Sequence, residues 1–328
     1  MTAGPRQFPL KWVIRITGSL VVLGLTLWFL PRRAVWQAMT VLPLRIWLIA
    51  LGTFMAGHVV SALKWRLLIG GSQIPVSRAI TAHFAGLTAN LCLPGAAGGD
   101  VVRAGLVLKD AKFKAPIAIG SLADRVLDTL GLLLLAALGT ALTVTKSGSA
   151  LALLIKLGLV IGAGVGGAVL FVLLLPRLPL PAKFKPLVQA MIEAVATLKR
   201  RPAALLGCLC LSMSVQSLFI GVNILLATHS GLFLPAAAWF FAWPLAKLLA
   251  LAPISVGGLG VREASLAALL APLGASPPLV VAVGLLWQSI LFASGLLGGG
   301  VLVLFTRLRP AARAERAAAA LQGNPGKP

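Results

Sequence analysis

Residues 94–103 read Pro-Gly-Ala-Ala-Gly-Gly-Asp-Val-Val-Arg, and residues 253–262 read Pro-Ile-Ser-Val-Gly-Gly-Leu-Gly-Val-Arg. Both stretches follow one pattern, which is proline, three residues, two glycines, three residues and arginine, and both interrupt apolar sequence. Proline ends helices and glycine frees the backbone, whereas an arginine within hydrocarbon is costly and usually functional. The two copies therefore predict a pair of helix breaks around a binding site inside a membrane.

The composition of the chain excludes an ordinary water-soluble domain. Its 328 residues are 59% hydrophobic and only 11% charged, and the mean hydropathy is +0.99. The apolar runs 16–30, 131–144 and 157–175 each approach the roughly 20 residues that cross a bilayer core. Because lipid offers the backbone no hydrogen-bond partner, these runs are predicted to be helices. We expect an all-α polytopic membrane protein with about 7–8 membrane helices plus broken or re-entrant helices.

The net charge of +22 comes mainly from Lys and Arg residues in the loops and the tail, so it does not indicate a nucleic-acid-binding surface. Lys and Arg residues between spans set the topology and meet anionic lipid head groups, so we expect no nucleic-acid partner. The chain is predicted to consist of a basic cytoplasmic leader (1–15), a transmembrane domain (16–306) and a basic, disordered cytoplasmic tail (307–328).

The transmembrane domain is predicted to contain two pseudo-symmetric halves, at about 45–145 and 203–306. Besides the repeated pattern, Gly131-Leu-Leu resembles Gly295-Leu-Leu if the second half carries a five-residue insertion. Halves with helix breaks at corresponding positions are typical of secondary transporters, whose ligand lies between them. The sequence leaves open whether the halves are inverted or parallel.

Three local features complete the predicted layout. The segment 80–93 is too short to span and stops at a proline, which predicts a helix that ends inside the bilayer. Lys64, Trp65 and Arg66 follow a predicted span over about 46–63, and a tryptophan between cations indicates an interfacial anchor. The basic loop 177–201 is predicted to hold an amphipathic helix that lies on the cytoplasmic surface.

The repeated pattern suits an anion. A Gly-Gly pair before a helix leaves backbone N–H groups unpaired at its positive end, and an arginine fork matches a phosphodiester. The alternative is that proline and glycine only form tight turns, while each arginine reaches to the interface. The predicted head-group or anion-binding residues are Pro94, Gly98, Gly99, Arg103, Pro253, Gly257, Gly258, Gly260 and Arg262.

The chain has only seven acidic residues, and four of them lie in or beside these regions. Asp124 and Asp128 are one helical turn apart, where two bare carboxylates repel, so a cation must lie near them or one is protonated. Arg103, Arg125 and Lys247 are the candidate cations. A structural ion-pair network and a proton-coupled or charge-gated relay are alternative interpretations. The predicted intramembrane charge network comprises Asp100, Asp124, Arg125, Asp128, Lys247 and Glu263.

The other polar residues and the cysteines are expected to be structural. His58 and His83 are predicted to be hydrogen-bonded core residues, and Asn90 and Gln288 to bond between helices. The sequence has no metal-ligand spacing, no nucleotide-type phosphate loop and no nucleophile with a plausible base, so we expect no cofactor, no metal and no enzymatic activity. A transferase that uses an aspartate as its base would still lack a nucleophile.

The same stretches resemble a known family. Asn90, residues 93–95, 98–100 and Arg103, then residues 124–125, 253–255 and 257–263, look like the membrane region of lysylphosphatidylglycerol synthases and related stand-alone flippase-like proteins. The resemblance covers about residues 45–306. It implies a multi-pass protein of the bacterial inner membrane that moves a lipid between leaflets, or helps to. Only a short basic tail follows Thr306, where the synthases have an aminoacyl-transferring domain, so lysyl transfer is not expected.

Two functions from different classes follow from this reading. The first is a lipid translocase that holds the head group of an anionic phospholipid or polyprenyl-phosphate lipid between the two breaks. The second is a non-transporting scaffold or lipid-binding subunit, whose basic loops recruit a separate lipid-modifying or glycosyl-transferring enzyme.

Overall fold

The computed structural model describes residues 40–71, 74–92, 98–108, 114–143, 185–250 and 258–322, together with residues 33, 36 and 37. The predicted spans 16–30 and 157–175 lie outside the described residues. So do Pro94, Pro253 and Gly257, which belong to the two breaks.

The regular structure of the described residues is entirely helical. Its α-helices are α1 (Leu44–Leu68), α2 (Val76–Cys92), α3 (Gly98–Leu108), α4 (Ala115–Thr143), α5 (Lys185–Lys199), α6 (Pro202–His229), α7 (Ala236–Leu249), α8 (Val261–Leu270) and α9 (Pro277–Gln322). A 3₁₀ turn over Ala271–Leu273 joins α8 to α9.

Four of the described helices are long and apolar enough to cross a membrane. They are α1, α4, α6 and the Pro277–Gly300 part of α9. Exposed leucines along these helices, such as Leu48, Leu138, Leu206 and Leu296, provide the apolar outer surface that contact with lipid requires. The chain is therefore an all-helical, multi-pass membrane protein.

One succession of elements occurs twice along the chain. A helix (α2 or α7) precedes each break, a short helix follows it (α3 or α8), and a long helix comes next (α4 or α9). The helix before each break packs against the long helix that follows the other break: α2 lies against α9, and α7 lies against α4. The short helices α3 and α8 pack against the helices of their own unit.

Two boundaries differ from the predicted ones. Helix α1 continues to Leu68 and includes Lys64, Trp65 and Arg66. Trp65 and Lys64 are fully buried, and the indole of Trp65 donates to Ser121 Oγ at 2.9 Å. The predicted interfacial anchor is therefore wrong for these two residues, because their polar atoms have partners inside the protein.

Helix α9 is also longer than the predicted last span. It continues past residue 306 to Gln322 and includes most of the segment for which we expected a disordered tail. The stretch 311–320 is rich in alanine, the residue with the highest helix propensity, so its sequence favours continuing the helix.

The core between the long helices is aromatic at its centre. Phe54 stacks on Phe219 with ring centroids 4.9 Å apart, and Trp287 meets Phe54 and Trp243 edge-on at 5.1 and 4.9 Å. Offset and edge-on contacts of this kind stabilise aromatic pairs beyond their burial. The cluster joins α1, α6, α7 and α9.

The crossing of α4 and α7 depends on Gly139. A Cβ atom added at Gly139 would lie 2.7 Å from the carbonyl oxygen of Phe240 and closer still to the peptide that follows. A Cβ added at Gly221, inside α6, meets nothing within 4 Å. The two glycines therefore form a matched pair for testing this crossing.

We predict that Gly139→Ala destabilises the protein by about 1–3 kcal/mol, because the two helix backbones must move apart. Gly221→Ala should be neutral or slightly stabilising, since alanine has the higher helix propensity. Thermal unfolding of both variants in detergent tests the crossing. Equal unfolding temperatures for the two variants would contradict it.

Candidate functional site

A cavity of about 280 Å³ lies at the centre of the helix assembly. Every described α-helix except α5 contributes to its lining. One part of the wall is the aromatic cluster of Phe54, Phe219, Trp243 and Trp287, and the other part is polar and charged. A cavity that combines an apolar wall with convergent charged groups suits an amphipathic ligand.

Arg103, on α3, enters the cavity from the first break. Its Nη2 donates to Asp124 Oδ2 at 2.9 Å and lies 3.3 Å from Asp100 Oδ1. Its guanidinium also lies over the ring of Trp65, 4.6 Å from the ring centroid. Arg103 is 4% exposed, so its charged group lies in the protein interior and does not reach the membrane surface.

Arg262, on α8, enters the same cavity from the second break. Its Nη2 donates to Gln288 Oε1 at 2.9 Å and pairs with the carboxylate of Glu263. Glu263 Oε2 also accepts from the amide of Gly260 at 2.7 Å, which caps the start of α8. This cap fixes the arginine in the wall.

The two arginines occupy equivalent positions in the repeat. The register that aligns Gly131 with Gly295 also aligns Asp124 with Gln288. Each of these two residues accepts from the arginine of its own copy, on the long helix that follows the break. The two arginines of the sequence pattern thus have acceptors at corresponding positions.

Lys64 is the residue that sequence reasoning missed. Its Nζ lies 3.0 Å from Asp124 Oδ1, pairs with Asp128, and donates to Ser212 Oγ at 2.7 Å. Ser212 in turn donates to Asp128 Oδ1 at 2.6 Å. The two carboxylates predicted to need a cation have Lys64 between them. The sequence contained a sign of this role, because Lys64 comes directly after the span predicted at about 46–63 and so continues an apolar helix.

The other candidate cations have different partners. Arg125, on the partly exposed side of α4, pairs with Asp100 on α3. Lys247, in the last turn of α7, donates to Gln216 Oε1 at 2.9 Å. Of the three predicted candidates, Arg103 is the one with a direct ion pair to Asp124 among the described contacts.

The two histidines are hydrogen-bonded, as predicted, and both line the cavity. Arg103 Nη1 lies 3.2 Å from His83 Nδ1, and His83 Nε2 lies 3.0 Å from His58 Nδ1. Because a guanidinium only donates, His83 Nδ1 accepts, and its Nε2–H donates to His58. Both imidazoles then occupy defined tautomers in a chain that starts at Arg103.

The glycines of the two patterns have structural tasks. The amide of Gly99 donates to Asn90 Oδ1 at 2.8 Å, and that of Gly260 is bonded to Glu263, so neither is free for an anion. A Cβ added at Gly86 would lie 2.7 Å from the Gly99 carbonyl oxygen, so α2 and α3 meet closely there. Gly258 and Gly260 have φ values of 78° and 81°, which disfavour side chains.

The predicted site residues are thus distributed in three groups. Those that line the cavity are Gly99, Asp100, Arg103, Asp124, Arg125, Asp128, Lys247 and Arg262. Gly98, Gly258, Gly260 and Glu263 are described but are not among the lining residues. Pro94, Pro253 and Gly257 lie outside the described residues. Sequence reasoning also left out the lining residues Gln216 and Trp243.

Three buried donors at the cavity have no hydrogen-bond partner within the described protein. They are Arg103 Nε, Arg262 Nε and Trp243 Nε1. All three residues line the cavity and are at most 6% exposed. Each of these N–H groups has almost no accessible surface of its own, so it is enclosed by protein, and the three residues line the cavity with their other atoms.

The fold and this site define a multi-pass membrane protein with an internal, cation-lined cavity. Residues 12–316 match the family described as the lysylphosphatidylglycerol synthase TM region. The chain belongs to this family. Comparison with curated proteins and with solved structures gave no match.

The network around Lys64 predicts a large effect on stability. Lys64→Met leaves Asp124 and Asp128 facing each other with one cation fewer, and breaking a buried pair costs about 3–5 kcal/mol. Adding Asp128→Asn should recover part of the loss, because it removes the repulsion. Thermal unfolding in detergent measures both effects.

The control for this prediction is Lys199→Met, which removes an exposed lysine at the end of α5. It should leave the unfolding temperature unchanged. A Lys64→Met variant as stable as this control would show that Lys64 does not compensate the two carboxylates.

Proposed function

We propose that this protein is a lipid translocase that moves an anionic phospholipid or polyprenyl-phosphate lipid across the bacterial inner membrane. The observation that carries the proposal is the cavity whose wall Arg103 and Arg262 share beside the aromatic cluster. A phosphate group supplies the acceptor oxygens that guanidinium groups bind.

The physical task of a translocase explains the charges. A charged head group crosses hydrocarbon alone only at very high cost, because the apolar interior cannot replace its hydration. A cavity at the centre of the helices, with cations already compensated by carboxylates, replaces that hydration at intermediate depth. The aromatic wall beside it provides an apolar surface for the first part of the acyl or prenyl chain.

Membership of the lysylphosphatidylglycerol synthase TM region family supports a role in lipid handling. The repeated succession of helices and the equivalent contacts of Arg103 and Arg262 favour two pseudo-symmetric halves, with the site between them. We infer that the complete domain has about 7–8 membrane helices and that both termini are cytoplasmic. In this proposal the protein is a non-enzymatic carrier.

Lipid exchange between leaflets of proteoliposomes tests the proposal. We predict that Arg103→Lys and Arg262→Lys each lower the exchange of fluorescent phosphatidylglycerol by at least about tenfold, because lysine keeps the charge but loses the planar fork. Lysine is chosen because alanine would leave Asp124 or Glu263 uncompensated and destabilise the fold.

The matched control is Arg45→Lys, at an exposed position near the start of α1. It should exchange lipid at the wild-type rate. Wild-type exchange that is no faster than in protein-free liposomes, for the phospholipid and for a polyprenyl phosphate, would exclude the translocase.

One observation favours the second function, a scaffold for a separate enzyme. Three consecutive exposed cations stand at and just after the end of α5, namely Lys199, Arg200 and Arg201, and they suit an acidic surface of a partner. Changing all three to glutamine should leave lipid exchange intact if the protein is a translocase. If the protein is instead a scaffold, the triple variant should no longer co-purify with a lipid-modifying or glycosyl-transferring enzyme. Variants of the cavity residues should still co-purify with that enzyme.

A further inference from the structure

Most of the charged side chains around the cavity form ion pairs with each other, and one described cation is left without such a pair. Arg103 and Lys64 compensate Asp124 and Asp128, Arg125 pairs with Asp100, and Arg262 pairs with Glu263. Counting the described groups that line the cavity or ion-pair with a lining residue gives five cations and four carboxylates. The cation left over is Lys247.

Among the residues that the structure describes, no carboxylate forms an ion pair with Lys247. Its Nζ donates to Gln216 Oε1 at 2.9 Å and lies 5.9 Å from the centroid of the Phe219 ring. Its neighbours on α7, Ala246 and Leu248, are buried and apolar. An amide oxygen and an aromatic face stabilise an ammonium group, but they do not neutralise it.

A partly buried ammonium group without a counter-ion is costly in a membrane protein, and such residues usually belong to a ligand path. Lys247 lies close to the second break and lines the same cavity as Arg103 and Arg262. The excess charge and the two arginines therefore belong to the wall of one cavity.

We propose that Lys247 selects the substrate by its charge, so that the cavity takes a lipid head group with one net negative charge, a phosphodiester without an amine. This inference rests on the proposed function and narrows its substrate class. The arginines, already held by carboxylates, orient the phosphate, while Lys247 neutralises it. A zwitterionic head group leaves the cavity with an uncompensated positive charge, and a phosphomonoester brings an excess negative one.

The contact between Lys247 and Gln216 provides two independent variants. Lys247→Gln removes the charge, whereas Gln216→Glu keeps the lysine and gives it a carboxylate partner within the protein. Both changes bring the described cavity charges to balance by different routes. Lys247→Arg keeps the charge, and Lys199→Gln is the control for loss of a lysine elsewhere.

Binding is measured in detergent as the thermal stabilisation of the full chain by short-chain phosphatidylglycerol, phosphatidylcholine and phosphatidic acid. We expect the wild type to bind phosphatidylglycerol at least about tenfold more tightly than the other two, a difference of about 1.4 kcal/mol. Lys247→Gln and Gln216→Glu should each remove this preference, while Lys247→Arg and Lys199→Gln should keep it.

Retention of the preference by Gln216→Glu together with Lys247→Gln would overturn the inference, as would a wild type that prefers either of the other lipids. The exchange assay on the same variants separates the two proposals. Selective binding that depends on Lys247, without exchange, excludes the translocase but keeps the ligand assignment. Exchange without a preference that depends on Lys247 keeps the translocase and excludes the assignment.

Discussion

The ion pair between Arg103 and Asp124 is the interaction on which the packing of α1, α3 and α4 depends. An arginine inside a membrane protein needs a partner close by, because neither lipid nor apolar side chains replace its hydration. Asp124 meets this need from α4 and is itself held by Lys64 from α1. Because these three residues come from different helices, the requirement for charge compensation fixes how α1, α3 and α4 pack.

Arg262, after the second break, meets the same requirement with different chemistry. Its acceptor on the following long helix is Gln288, and because an amide carries no charge, Arg262 takes its counter-ion from Glu263 on its own helix. The carboxylate also caps α8 through Gly260. Compensation is therefore shared between three helices in the first copy and local in the second.

The sequence predicted the helical membrane fold, the two breaks and most of the charged residues at the cavity. These features carry strong local signals, namely long apolar runs, proline with paired glycines, and rare charges in apolar sequence. It did not predict the role of Lys64, because a lysine beside a tryptophan at the end of a span looks the same whether the helix ends there or continues. The pairing of Arg125 with Asp100, and of Lys247 with Gln216, depends on helix packing that no local pattern encodes. For the same reason the amide of Gly99, expected to be unpaired, is bonded to Asn90.

Near-complete compensation also bears on how such a cavity releases what it binds. A site with several uncompensated cations would hold an anionic head group too tightly for rapid exchange, since each direct pair in a low dielectric is strong. A fully balanced site would gain little electrostatic energy from an anion. In the proposed translocase, one cation in excess attracts a single phosphate charge and leaves the ion-pair network intact when the ligand departs. The compensated network and the single exchangeable charge are then separate parts of the same cavity, and in that proposal only the second part changes its partner.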